Sequence, residues 1–266
     1  KLRARGEAIK GIEGVAKGVL PVAKSLEGGF SYADQLGQRP GAGAVYLNIF
    51  HYDLPEFLDT KKVNADEDIR LSTISTGLVV PSKFFELAQD NKPFNLFAPH
   101  TVEREYGIAL DDMDMDEMYD KLVANDNVKK REYDARDMLN TIAQTQLQSG
   151  YPYLMFKDNA NKVHPLGDIG QIKISNLCTE IFQLQETSEI NDYGTDDVIK
   201  RDISCNLGSM NIANVMDSGK VKETVHEGIE ALTLVSDDTA IANAPGVKKA
   251  NDELHSVGLG AMNLHG

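Results

Sequence analysis

Six short apolar runs of strand character alternate with helical patterns along this chain, and that alternation limits what it can fold into more than any other feature. The runs lie at 44–50, 71–81, 151–156, 174–181, 202–212 and 256–264. Between them, residues 129–149 place Ala135, Met138, Leu139, Ile142 and Ala143 on one stripe and stop at Gly150, just before Pro152. Residues 221–236 bring Val221, Val225, Ile229, Leu232 and Val235 onto one face at helical spacing. Strands separated by helices predict an α/β fold with largely parallel strands, because a parallel pair needs a long crossover between its members. No linker rich in Gly, Ser or Pro divides the 266 residues and no internal repeat stands out, so residues 1–266 read as one domain or part of one.

Charge excludes some partners. A net charge of −14 argues against broad, sequence-independent binding to nucleic acid, which needs a basic surface. It leaves room for small anionic ligands, because a helix N-terminus and one or two arginines can hold a phosphate in an acidic protein. No apolar run is long enough to span a membrane, and the opening KLRARGEAIKGIEG lacks the hydrophobic stretch of a signal peptide, so a cytoplasmic location is expected. The chain begins without Met and ends at NLHG, and is expected to be a piece of something longer. Its two cysteines, Cys178 and Cys205, have no zinc-like spacing and read as reduced thiols. His51 and Asp53 are the closest approach to a ligand pair, but read better as surface or second-layer polar residues, and no metal site is expected.

Acidic residues crowd into DDMDMDEMYD at 111–120, which lacks the glycine and ligand order of a calcium loop and reads as a solvated face within a polar insertion. Glycines crowd into GQRPGAGAVYL at 37–47 and into RARGEAIKGIEG at the start. The first does not match a phosphate loop and precedes a strand where a dinucleotide fingerprint would follow one, while the second is flexible, basic for this chain and compatible with gripping phosphate. Each reads as a turn, or as backbone able to approach a ligand closely and change conformation.

The run SNLCTEI at 175–181 sets an amide, a thiol and a carboxyl at alternate positions, Asn176, Cys178 and Glu180. In an extended chain the three would share one face. The same residues also read as a small buried cysteine in a strand whose polar neighbours meet solvent.

Taken together, these segments resemble the large, catalytic subunit of ribonucleotide reductase, and more narrowly its class Ib form. The resemblance rests on EAIKGIEG at 7–14, YADQLGQRPGAGAVYLNIFHYDLPEFLDTKK at 32–62, SGYPYLMFKD at 149–158, SNLCTEI at 175–181, DISCNLGSMNIA at 202–213 and GLGAMNLHG at 258–266, in that order across the whole chain. It implies part of a ten-stranded α/β barrel, with SNLCTEI at the tip of the loop that threads it. Cys178 would be the thiyl radical that abstracts the 3′-hydrogen of a ribonucleoside diphosphate, Glu180 the base for the 3′-hydroxyl proton, and Asn176 a hydrogen-bonding partner of the sugar hydroxyls. Cys205 would be one of two reducing cysteines. Lys10 falls in the matching region of the loop that senses a deoxynucleoside triphosphate or ATP effector. Gln35, Arg39 and Gly41 fall in the loop that carries that signal to the substrate base.

No cofactor is expected in this chain itself. The implied partners are a metal-containing small subunit that supplies the radical, a thioredoxin- or glutaredoxin-like reductant, and a second copy of the large subunit. Departures from the family pattern are specific. The second reducing cysteine would lie upstream of Lys1, and the radical-relay tyrosines, a substrate phosphate loop and the C-terminal cysteine pair would lie downstream. The chain is therefore not expected to turn over alone. Two other readings stand beside this one: an adenosylcobalamin-dependent class II reductase, and a non-catalytic nucleotide-binding fragment that needs a complementing chain.

Overall fold

The computed structural model describes residues 2–34, 36–191 and 193–266. The chain divides into two compact units, Lys1–Phe182 and Gln183–Gly266. Helix and sheet mix in both, as the alternation predicts.

In the first unit the order is α1 (Leu20–Tyr32), β1 (Ala44–Asn48), α2 (Leu54–Asp59), β2 (Ser75–Val80), α3 (Ser82–Gln89), β3 (Pro93–Phe97), α4 (Pro99–Tyr106), a 3₁₀ turn (Leu110–Asp112), α5 (Met115–Ala124), β4 (Lys130–Asp134), α6 (Ala135–Ser149), β5 (Tyr153–Phe156) and α7 (Lys157–Val163). Strands β1, β2 and β5 form a parallel sheet with β2 in the centre. Every residue of β2 is buried, as expected for a parallel strand covered on both faces. Strands β3 and β4 pair antiparallel. The chain just beyond β1 joins the two sheets, because Phe97 N–H donates to the Phe50 carbonyl at 2.7 Å and Tyr52 N–H to the Phe97 carbonyl at 2.9 Å.

Aromatic rings fill the space around that junction. Phe50 packs against Phe94 and Tyr119 at centroid distances of 5.3 and 5.6 Å, and Phe84 meets Phe94 edge-on at 5.0 Å. Tyr119 comes from the acidic stretch. Where the sequence predicts a solvated polar insertion, the structure has an amphipathic helix whose Met115, Tyr119 and Leu122 are buried, together with the preceding Met113. The carboxylates face outward between them, and the Asp114 side chain caps the helix by accepting from Asp116 N–H at 2.9 Å.

Two further expectations change. The helix read over 129–149 begins at Ala135, because 130–134 forms β4 and the Asp134 side chain caps α6 through Asp137 N–H at 2.9 Å. The strand read over 174–181 does not form: the chain makes a turn at 177–179 instead. Asn176 explains it, since its side-chain oxygen accepts the N–H groups of Glu180 and Ile181, both at 3.1 Å, and so takes donors that a sheet ladder would need.

The second unit carries β6 (Leu207–Asn211), α8 (Ile212–Ser218), α9 (Val221–Asp238), α10 (Pro245–Leu254) and β7 (Gly258–Met262), with β6 and β7 paired in parallel. Helix α9 forms where its stripe predicts, but of that stripe only Leu232 is buried; Val221, Val225, Ile229 and Val235 are exposed. Among the described residues no barrel closes, and the sheets hold three, two and two strands.

Buried carboxylates tie distant segments of the first unit together. Glu27 on α1 accepts the N–H of Thr73 at 2.7 Å and of Ile74 at 3.2 Å, just ahead of β2. Burial alone would raise its pKa, but these bonds and nearby Lys24 outweigh it and hold the carboxyl below its usual value. A lowered pKa in the folded state means that the charged group adds stability above its unfolded-state pKa, and that this is lost as pH falls through the lower folded-state value. Glu27→Gln is therefore expected to destabilise by about 1–3 kcal/mol at neutral pH. Denaturant titration of both proteins should show that difference closing at acid pH.

Candidate active-site loop

Residues 172–181 leave the end of the first unit as an irregular loop held at stem and tip. At the stem, Ile172 is fully buried, and Asn161 on α7 grips its backbone from both sides, accepting Ile172 N–H at 2.8 Å and donating to its carbonyl at 2.9 Å. Lys173 pairs with Asp112 at 2.5 Å. Ser175 closes the loop on itself by donating its hydroxyl to the Ile181 carbonyl at 2.8 Å.

At the tip, Thr179 N–H donates to the Asn176 carbonyl at 3.2 Å, which closes a tight turn over Leu177 and Cys178. Thr179 adopts φ of 65°, a left-handed conformation that a β-branched residue rarely takes. Tyr46 on β1 reaches the same turn from the sheet: its hydroxyl donates to the Asn176 carbonyl at 2.8 Å and lies 2.6 Å from the Thr179 hydroxyl. Burial raises the Tyr46 pKa, with Cys178 and Glu180 adding to it against the bonds from Thr179 and Ser175, so the phenol stays protonated and able to donate.

The structure thus brings Asn176, Cys178 and Glu180 together, though by a turn rather than by an extended face. Cys178 and Glu180 are both exposed. Asn176 spends its amide oxygen on the turn. Cys205 is exposed too, in the second unit, on the irregular segment before β6. Its neighbours are fixed: Ser204 donates to the Asn251 side chain at 2.8 Å, and the Asn206 carbonyl accepts Gly258 N–H at 2.9 Å.

The glycine-rich stretches are turns with exposed tips. Lys10 and Gly11, at φ of 50° and 79°, make a two-residue turn between the bridged Ile9 and Ile12. Asp34 and Pro40 bridge across the second loop, where Arg39 is exposed; Gln35 lies outside the described residues. Gly41 has a packing reason to be glycine, because a Cβ there would lie 2.1 Å from the Ala33 carbonyl oxygen and 2.4 Å from that of Phe30.

The His51 and Asp53 pair is built into the fold. His51 accepts Asp53 N–H at 3.0 Å, and the Asp53 carboxylate accepts the N–H of Arg5 at 3.0 Å and of Val19 at 3.2 Å. Among the described residues no cluster of three or more His, Cys, Asp or Glu side chains could hold a metal ion, and no helix is long and apolar enough to cross a membrane.

Sequence reasoning missed Tyr46, Thr179 and Asn161. A tyrosine within a largely apolar strand run was the one available signal, since a phenol packed there normally finds a hydrogen-bond partner. Nothing in the sequence marks Thr179 as left-handed.

The family model described as "Ribonucleotide reductase, barrel domain" matches residues 1–266. The chain is similar to the ribonucleoside-diphosphate reductase subunit alpha of Bacillus subtilis (strain 168), 54% identical over 266 residues, covering 100% of this chain and 38% of that protein. The subunit of the same name from Mycoplasma genitalium is 47% identical over 266 residues, covering 100% of this chain and 37% of its own length. That from Treponema pallidum is 29% identical over 283 residues, covering 100% and 33%. The chain spans about a third of the length of these relatives. A family model matched from end to end, with relatives at such identity, leaves one conclusion: the chain belongs to the ribonucleotide reductase family, in its barrel domain.

Proposed function

We propose that this chain is the radical-bearing part of a ribonucleoside-diphosphate reductase catalytic subunit, and that Cys178 is its hydrogen-abstracting thiol. The observation that carries the reading is the pinned turn at 176–180, which presents an exposed thiol and an exposed carboxylate two residues apart on a backbone held by Asn176 and Tyr46. Family membership and the alpha-subunit names of the relatives support it.

In this reading the Cys178 thiyl takes the 3′-hydrogen of the substrate ribose, forming S–H and leaving the radical on C3′. A thiol suits the step because its S–H bond is close in strength to the C–H bond it replaces, so the hydrogen can be handed back at the end. Glu180 accepts the 3′-hydroxyl proton and Asn176 donates to the sugar hydroxyls, a division of labour that depends on positioning. The 2′-hydroxyl departs as water. Two electrons then come from a pair of thiols that close to a disulfide, Cys205 being one and a cysteine outside this chain the other, and exchange with a thioredoxin- or glutaredoxin-like dithiol reopens them. A separate metal-containing subunit supplies the radical when bound. Lys10, Gln35, Arg39 and Gly41 belong to two loops through which a deoxynucleoside triphosphate or ATP effector sets substrate choice in a dimer of large subunits. The cytoplasm is the expected compartment.

A class II reductase uses the same three residues, so cobalamin binding separates it from this reading. A purely nucleotide-binding fragment is separated by turnover when the missing segments are restored.

In a full-length subunit carrying this chain, Cys178→Ser is expected to abolish deoxynucleotide formation while nucleotide binding persists, because the serine O–H bond is too strong to yield its hydrogen. Steady-state assays alongside titration calorimetry check both halves, and retained turnover would sink the radical assignment.

Cys205→Ser should let hydrogen abstraction begin but stall reduction, so that free base is released in place of product. Multiple turnovers with a small dithiol would show Cys205 to be structural.

Arg39→Ala is expected to erase the effector-dependent preference among nucleoside diphosphates and leave effector affinity within about twofold, since a ligand biases a loop only through contacts that differ between its states. Competition assays under each effector measure it; an unchanged preference would return this loop to the status of a turn.

A further inference from the structure

We infer that Tyr46 is the positioning residue for the reactive thiol, holding the Cys178 turn in register with the sheet through its hydroxyl. The inference rests on the reading of Cys178 given above.

Three observations support it. First, the hydroxyl engages the turn on both sides of Cys178. It donates its one hydrogen to the Asn176 carbonyl at 2.8 Å and, with that hydrogen used, accepts from the Thr179 hydroxyl 2.6 Å away. Asn176 and Thr179 are also the two ends of the turn's own 3.2 Å backbone hydrogen bond. Second, the turn is one the backbone resists. Thr179 sits at φ of 65°, and a β-branched residue stays there only where its surroundings hold it. Third, Tyr46 is itself fixed. It pairs in register with Gly77 on buried β2, and the ring lies so close that a Cβ at Gly77 would be 2.4 Å from a ring carbon. Glycine opposite the ring lets the phenol lie across the central strand and aim at the loop. The line of support runs from Gly77 to Tyr46, then to Asn176 and Thr179, and so to the thiol between them.

Without the hydroxyl, Thr179 loses its side-chain partner in this contact, and the turn can relax toward the extended conformation that β-branched residues prefer. Hydrogen abstraction is sensitive to such a shift, because a displacement of about 1 Å at a reacting atom can lower a rate on the order of a hundredfold.

Tyr46→Phe keeps the ring and removes one oxygen. In a full-length subunit assayed with its radical-generating partner, we expect kcat to fall about a hundredfold with KM for the nucleoside diphosphate changed less than about twofold. Hydrogen exchange of the peptide spanning 175–182 is expected to accelerate about tenfold, because the N–H groups of Thr179, Glu180 and Ile181 are all bonded within the turn. Adding Thr179→Gly, which takes the left-handed conformation without strain, should recover roughly tenfold in kcat. Unchanged exchange with unchanged kcat overturns the inference. So does a fall in kcat with neither faster exchange nor rescue, which would place Tyr46 in the chemistry itself. If Cys178→Ser keeps its turnover, the radical reading fails on its own, and the exchange result alone decides whether Tyr46 holds the turn.

Discussion

Pairing of β2 on both edges is the constraint on which the first unit depends. A parallel strand buried on both faces must have each edge satisfied by a neighbour, because no water reaches its N–H and C=O groups. Here β1 takes one edge over Ala44–Asn48 and β5 the other over Tyr153–Phe156. Two of the contacts that hold the 172–181 loop then hang from those neighbours. Tyr46 projects from β1 to the loop tip, while β5 runs directly into α7, whose Asn161 grips the stem. A change of one residue in the register of β1 would turn Tyr46 to the opposite face.

The connections around this sheet are fixed by carboxylates that accept backbone N–H groups far away in sequence. Glu7 accepts the N–H groups of His100 and Thr101, the free donors in the first turn of α4, at 3.0 and 3.1 Å. Asp53 takes those of Arg5 and Val19, and Glu27 those of Thr73 and Ile74. Each couples a helix or loop end to a segment tens of residues off and satisfies backbone donors there. In an acidic chain these groups are easily read as surface charge, yet all three are buried.

What could be read from the sequence was what depends on nearby residues. The apolar runs and helical stripes located β1, β5, β7 and α9 closely and β2, β6 and α6 with their starts placed too early, and the order of Asn176, Cys178 and Glu180 with its flanking segments identified the family. What could not be read depends on residues far apart. β4 was hidden because Lys130–Asp134 is mostly charged and is a strand only by virtue of pairing with β3. Helix α5 was hidden because its acidic face dominates the composition while Met115, Tyr119 and Leu122 do the packing. The turn at 177–179 was hidden because alternation of polar and apolar residues describes a strand well, and nothing local shows that Asn176 will capture two N–H groups and that Tyr46 will be waiting across the fold.

That correction changes the physical argument for the loop. An extended segment would present Asn176, Cys178 and Glu180 as parallel neighbours, each free to adjust with the strand. A turn closed by Asn176 and clamped by Tyr46 instead fixes the backbone on both sides of the thiol before any ligand arrives. The reversible hydrogen transfer proposed above would call for this, because the same sulfur would have to meet the same carbon twice, once to take the hydrogen and once to return it. A reducing cysteine has the opposite requirement: its side chain must swing between a thiol and a disulfide partner whose Cβ atom is only about 4 Å away. As proposed, Cys205 would meet that requirement from an exposed thiol between Ser204 and Asn206, which are tied to Asn251 and Gly258.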